Sequence, residues 1–117
     1  ALDGSSAAEQ YLKERYAEAE QGKSIDLKRE YKDKIDEYLS LKETIKELDE
    51  RAKALENAIK NELKDAETGF VQNYQVSWKS VTSNRVDTKK LKSQFPQVYE
   101  QVIKPSSYRK FSIKQIG

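Results

Sequence analysis

The residues whose types and order could do chemistry lie in the last third of the chain. They are Trp78-Lys79-Ser80-Val81-Thr82-Ser83-Asn84-Arg85, then Lys89, Lys90 and Lys92, then Tyr108-Arg109-Lys110. Lysine and arginine neutralise phosphates and release their counterions, hydroxyls complete the oxygen contacts, and an exposed aromatic ring stacks on an unpaired base. Lys79, Arg85, Lys89, Lys90, Lys92, Arg109 and Lys110 are therefore candidate phosphate contacts, with Tyr108 a candidate stacker. Trp78 is expected inside, because so small a tail needs its largest side chain for a core. The competing structural reading makes these lysines solvated outward positions around that core.

Catalytic patterns are harder to find. Asp65 and Glu67 followed by Lys79 faintly suggest the acid, acid, lysine set of metal-dependent nucleases, in which the second acid and the lysine lie two apart on one strand. Here the residue two before Lys79 is Ser77, and the pattern fails. The carboxylates Asp33, Asp36, Glu37, Asp49 and Glu50 read as a wet helix face, without the convergence and desolvation that metal or acid–base work requires. The chain holds no Cys and no His, which excludes disulfides, Cys/His zinc sites and His-based proton transfer. Its four glycines form no phosphate-cradling loop.

Charge is divided unevenly along the 117 residues. Residues 1–68 carry 13 basic against 18 acidic side chains, whereas 69–117 carry 9 basic against only Asp87 and Glu100. Seven of the aromatics fall in that second stretch: Phe70, Tyr74, Trp78, Phe95, Tyr99, Tyr108 and Phe111. Basic and aromatic together suit a polyanion. Mean hydropathy is −0.95, and no apolar run approaches the ~18 residues of a membrane span. No secretory signal is present, so the cytoplasm is the expected compartment. A sequence without Met that starts on Ala is expected to be a piece of a larger protein.

The element that must carry this tail is one long amphipathic helix, expected over about 25–64. Leu27, Tyr31, Ile35, Tyr38, Leu41, Ile45, Leu48, Ala52, Leu55 and Ile59 recur three or four residues apart without Gly or Pro between them. Such a helix would reach ~60 Å. The consecutive three-residue steps at Ile35, Tyr38 and Leu41 shift the stripe. The stretch before them is expected to pack on the first helix. Leu41, Ile45, Leu48, Ala52, Leu55 and Ile59 are left as a candidate interaction stripe. That first helix is expected over about 7–20, with a Ser6-Ala7-Ala8-Glu9 capping box and a Gly22 C-cap; Ser24 would cap the long helix.

Gly69 marks the change of composition, and the expected units are a helical arm, 1–68, and a small basic α+β tail, 69–117. Tyr74, Val76 and Trp78 alternate as a strand. Asp87 or Thr88 caps a short helix through Leu91, Pro96 opens another turn, and Tyr108–Ile116 makes a final strand. The fold class is mainly α: a long helical hairpin or coiled-coil-like arm followed by a short β(β)αβ unit.

Several stretches together carry a resemblance. They are Asp3-Gly4-Ser5-Ser6-Ala7-Ala8, Asp65-Ala66-Glu67-Thr68-Gly69, Tyr74-Gln75-Val76-Ser77-Trp78-Lys79-Ser80-Val81-Thr82, Arg85-Val86-Asp87-Thr88-Lys89 and Lys104-Pro105-Ser106-Ser107-Tyr108-Arg109-Lys110-Phe111. Across essentially the whole chain the sequence resembles the C-terminal region of YqaJ-type phage recombination exonucleases, relatives of the lambda-exonuclease family. The resemblance implies a parent enzyme that resects duplex DNA with a divalent metal such as Mg and hands single strands to an annealing partner. It implies that the metal-binding carboxylates and lysine lie upstream, so no catalytic or metal-binding role, and no cofactor, passes to any residue here.

Two functions follow as expectations. One is a non-catalytic accessory module of such an exonuclease, binding DNA weakly and salt-sensitively through the basic tail. The other is a coiled-coil oligomerisation or interaction module, with the stripe meeting a second copy or a single-strand annealing protein. No membrane contact is expected from either.

Overall fold

The computed structural model describes residues 2–116. Its elements are α1 (Ser6–Arg15), α2 (Tyr31–Leu63), β1 (Thr68–Val71), β2 (Tyr74–Ser77), α3 (Thr88–Gln94) and α4 (Pro96–Val102). The expected class is what the structure shows, mainly α with a small α+β part. Contacts group the chain into two units, Ala1–Ile25 with Val86–Gly117, and Asp26–Arg85.

In the unit Asp26–Arg85, α2 is built from Ala, Leu, Glu and Lys, the residues that lose least on entering a helix. Its 33 residues extend it to ~50 Å. It begins six residues later than the periodicity predicts and ends one residue earlier. Ser24 does not cap it; Glu30 holds the N-cap position without a side-chain hydrogen bond. Tight turns lead in, with the Tyr31 N–H donating to the Lys28 carbonyl at 2.9 Å and Lys32 to Arg29 at 3.1 Å. Ile25 and Leu27 stay exposed, so no burial offsets the entropy of ordering another turn.

β1 and β2 form a two-stranded antiparallel hairpin pairing Thr68 with Ser77, Gly69 with Val76, Phe70 with Gln75 and Val71 with Tyr74. The Trp78 N–H extends the ladder to the Glu67 carbonyl at 2.7 Å. Gln72-Asn73 closes it, with Gln72 alone of the two at positive φ, +52°, as at the first position of a type II′ turn. The hairpin meets the end of α2 across Gly69, where a Cβ would lie 2.7 Å from Leu63 Cδ2. Glycine is what admits that approach. Trp78, expected in a core, is 47% exposed and lies beneath Lys60, whose Nζ is 5.2 Å from the ring centroid.

In the other unit, α1 starts on Ser5, one residue before the expected cap: its Oγ accepts from the Ala8 N–H at 3.1 Å. Asp3 Oδ1 accepts from the Ser5 N–H at 2.9 Å, and the Ser5 hydroxyl and N–H together hold the Asp3 carboxyl below its ordinary range. α1 ends at Arg15, five residues short of the expectation. Gly22 serves a different purpose: it lies at φ +81° inside the turn closed by Lys23 N–H on the Glu20 carbonyl at 3.2 Å, the position where a type II turn requires glycine.

α3 and α4 follow the expected punctuation. Asp87 caps α3, Pro96 stands in the first turn of α4, and Phe95 joins them, donating to Leu91 at 2.8 Å and accepting from Tyr99 at 3.0 Å. Leu91 and Tyr99 are half-buried between them. The final strand expected over Tyr108–Ile116 does not form. Phe111 and Ile113 do alternate with polar neighbours, but a strand needs an edge to pair with, and the sheet stays two-stranded.

Among the described residues none is buried. Local hydrogen bonding makes the elements, and their apolar faces remain open.

Candidate nucleic-acid interface

The tail cations sit on three pieces of backbone. Lys79 and Arg85 belong to the unit Asp26–Arg85, in the exposed stretch that leaves β2. Lys89, Lys90 and Lys92 share α3 in the other unit. Lys89 and Lys92 are three residues apart on one face, with Lys90 a quarter turn away. Tyr108, Arg109 and Lys110 lie in a segment without regular secondary structure. The structure thus brings the three lysines onto one helix and the last three candidates onto one strand-free segment, and leaves Lys79 and Arg85 in the other unit.

Asp87 organises the α3 group. Its Oδ1 accepts from the Lys90 N–H at 3.0 Å, which fixes the helix start and occupies one of the two acids in 69–117. No acid follows in the first turn of α3. Lys89 and Lys90 stand there instead, at the positive end of the helix dipole, where each cation costs about 0.3–1 kcal/mol at low ionic strength. Helix stability does not account for them. Lys92 extends over Tyr99, Nζ to centroid 5.8 Å.

Arg109 is held against the end of α1. Its Nη1 donates to the Tyr16 carbonyl at 3.1 Å, one of the terminal carbonyls a helix leaves without a partner. Four guanidinium N–H groups remain for other acceptors. A shallow cavity of about 550 Å³ lies beside it, lined by Ala17, Glu18, Ala19 and Ser107–Lys110. Tyr108 is 81% exposed, so its ring is open to stacking. Neither the Arg109–Tyr16 contact nor the Lys60–Trp78 contact has a sequence signal, since both join residues far apart in the chain through a carbonyl or a ring face.

Ion pairing separates the two halves of the sequence. Among the described residues the pairs are Lys13–Glu9, Lys23–Glu20, Lys32–Asp36, Lys53–Glu56 and Lys60–Glu56, none of them in 69–116. Asp36 raises the Lys32 pKa, and Lys53 and then Lys60 lower that of Glu56. Lys13, Lys23, Lys32, Lys53 and Lys60 thus find acids three or four residues away, while among the described residues no basic side chain after Gly69 forms an ion pair. The large apolar residues of the interaction stripe are also open, from Ile59 at 46% exposed to Leu55 at 69%. At its C-terminal end Ala52, Leu55 and Ile59 share a shallow groove with Val76 and Trp78. Among the described residues no three His, Cys, Asp or Glu side chains converge to hold a metal, and no helix is long and apolar enough to cross a membrane.

Along all 117 residues the sequence is 60% identical to a protein of Bacillus subtilis (strain 168) described as uncharacterized protein YqaJ. The likeness is of YqaJ type. The chain spans 37% of that relative's length, which fits a part of a larger protein. No protein-family model and no solved structure matches it.

Proposed function

We propose that this chain is the C-terminal accessory region of a YqaJ-type DNA recombination exonuclease and contributes DNA binding, with catalysis and its divalent metal housed elsewhere in the longer protein. The single observation that supports DNA binding is the uncompensated charge of the tail. Lys79, Arg85, Lys89, Lys90, Lys92, Arg109 and Lys110 have no acidic partner among the described residues, while Lys13, Lys32, Lys53 and Lys60 do. Lys89, Lys90, Lys92, Arg109 and Lys110 contact phosphates; Lys79 and Arg85 add to the contact, and Tyr108 stacks on a base where the strand is unpaired. Fluorescence anisotropy with labelled duplex and single-stranded oligonucleotides tests this. Binding that weakens steeply with salt is expected, and absence of binding at low salt refutes it.

A second reading is supported by the bare stripe of α2: a protein-interaction face for a second copy or for a single-strand annealing protein. Light scattering of the chain and of Leu48→Glu tests it, and a monomer whose mass and solubility the substitution leaves alone refutes it.

A further inference from the structure

The apolar stripe of α2 has an internal grammar that the spacing alone does not express. Placing Tyr38, Ile45, Ala52 and Ile59 at heptad position a puts Leu41, Leu48 and Leu55 at position d, with no break from Tyr38 to Ile59. Lys34 and Glu62 occupy the next d positions on either side and bound the repeat. Within those bounds leucine fills every d position and isoleucine two of the four a positions, Ile45 and Ile59, and isoleucine at a with leucine at d favours two parallel strands over three or four.

The flanking positions point the same way. Position g carries Glu37, Thr44, Arg51 and Ala58, and position e carries Lys42, Asp49, Glu56 and Leu63. In a parallel pair each g residue faces the e residue five further along in the other copy. Glu37 then meets Lys42 of the second copy, and Arg51 meets Glu56 of the second copy. Symmetry repeats both contacts, and no like charges face each other. An antiparallel pair that sets Leu48 against Ile45 matches Lys42 with Asp49 but leaves Glu37 and Arg51 opposite Ala58 and Thr44. Shifting it so that Leu48 faces Ala52 sets Asp49 against Asp49 and Arg51 against Arg51.

On α2 the ion pairs are Lys32 with Asp36 at 2.8 Å, and Lys53 and Lys60 with the e-position Glu56 at 3.1 and 3.3 Å. Glu37, Lys42 and Arg51, beside the bare stripe, form no ion pair among the described residues. Glu56 is already shared by two lysines, so Glu37–Lys42 is the stronger determinant of register.

We infer that α2 pairs with α2 of a second copy as a parallel, in-register, two-stranded coiled coil over Tyr38–Ile59, its register set by Glu37 against Lys42. This rests on the interaction reading above and specifies its partner and geometry. Three heptads make a short interface, so pairing is concentration-dependent.

The test uses the 117-residue chain. Sedimentation equilibrium over about 1 µM to 1 mM should show monomer passing to dimer. The chain has no cysteine, so Leu41→Cys supplies a single reporter. In a parallel pair the two sulfurs are adjacent and a disulfide-linked dimer forms on mild oxidation. In an antiparallel pair that sets Leu48 against Ile45 they are displaced by ~16 Å along the axis, and by ~27 Å where Leu48 faces Ala52, both beyond the ~7 Å limit for bridging. Lys42→Glu, a surface change checked for retained helicity by circular dichroism, should weaken the dimer about three- to tenfold; adding Glu37→Lys should restore it. A dimer that does not cross-link through Leu41→Cys, a trimer, or a dimer indifferent to Lys42→Glu overturns the inference while the interaction face stands. A strict monomer at the highest concentration also overturns it, and Leu48→Glu then decides whether the interaction face itself stands.

Discussion

Removing Lys89 and Lys92 together gives the sharpest test of the DNA reading. These two lie three residues apart on one face of α3, about 4.5 Å along its axis, close enough to meet one stretch of backbone where charges recur every ~1.7 Å of duplex. Each phosphate contact contributes about 0.9 to the slope of log affinity against log salt. Lys89→Ala/Lys92→Ala should therefore make the slope shallower by about 1.8, and between about 50 and 200 mM salt its affinity deficit against the unsubstituted chain should shrink about 12-fold. Alanine is the better helix former and relieves the N-terminal dipole, so α3 itself should persist. The control is Lys32→Ala/Lys53→Ala in α2, which removes the same formal charge from lysines already bonded to Asp36 and Glu56. Anisotropy titrations at several salt concentrations give both slopes. Equal slopes for the α3 variant and the unsubstituted chain would refute the reasoning, and so would an equal change in the α2 control, which would reduce the effect to net charge.

Three further outcomes follow from local geometry. Asp87→Ala should cost about 1 kcal/mol of α3 stability, seen by hydrogen exchange as lost protection of the Lys90 amide that Asp87 now receives. Gln72→Gly should stabilise the β1–β2 hairpin by about 0.4–1 kcal/mol, because glycine enters positive φ without the penalty glutamine bears; cross-strand nuclear Overhauser effects between Gly69 and Val76 report the population. Lysines 53 and 60 depress the Glu56 pKa below its ordinary 4.5, so their stabilisation is complete above that value and is lost as pH falls through the lowered one. Helicity of α2 by circular dichroism should decline in that acid window, and Glu56→Gln should remove part of the decline.

What the residue order made legible is what local physics decides. α2 was readable because its stripe runs without Gly or Pro, and α3 and α4 because Asp87 and Pro96 can each play one structural part. The misses lie where a remote partner, or its absence, decides. Tyr16-Ala17-Glu18-Ala19-Glu20 favours helix by composition, yet α1 stops at Arg15 and the Tyr16 carbonyl takes Arg109 from 93 residues away. β1 gave no signal of its own: four residues interrupted by Gly69, closed by a turn with no glycine in it, become a strand only because β2 needs an edge. The alternation of Tyr108–Ile116 shows the converse, a strand pattern with no edge to join. Of the candidate site, the identities of the cations were legible and their freedom from acid partners was not, since pairing at one helical turn is a property of the fold.

Among the described residues none is buried. A sequence that spaces ten apolar side chains regularly along one helix and buries none of them has its complement outside itself. Two sources fit the sequence, and they make separable demands. Further residues of a longer YqaJ-type chain would cover whichever faces lie nearest, and would favour no particular charge pattern beside the stripe. A second α2 requires the a, d, e and g positions to agree with one another, and from Tyr38 to Ile59 they do. That agreement argues for self-pairing along the middle of α2.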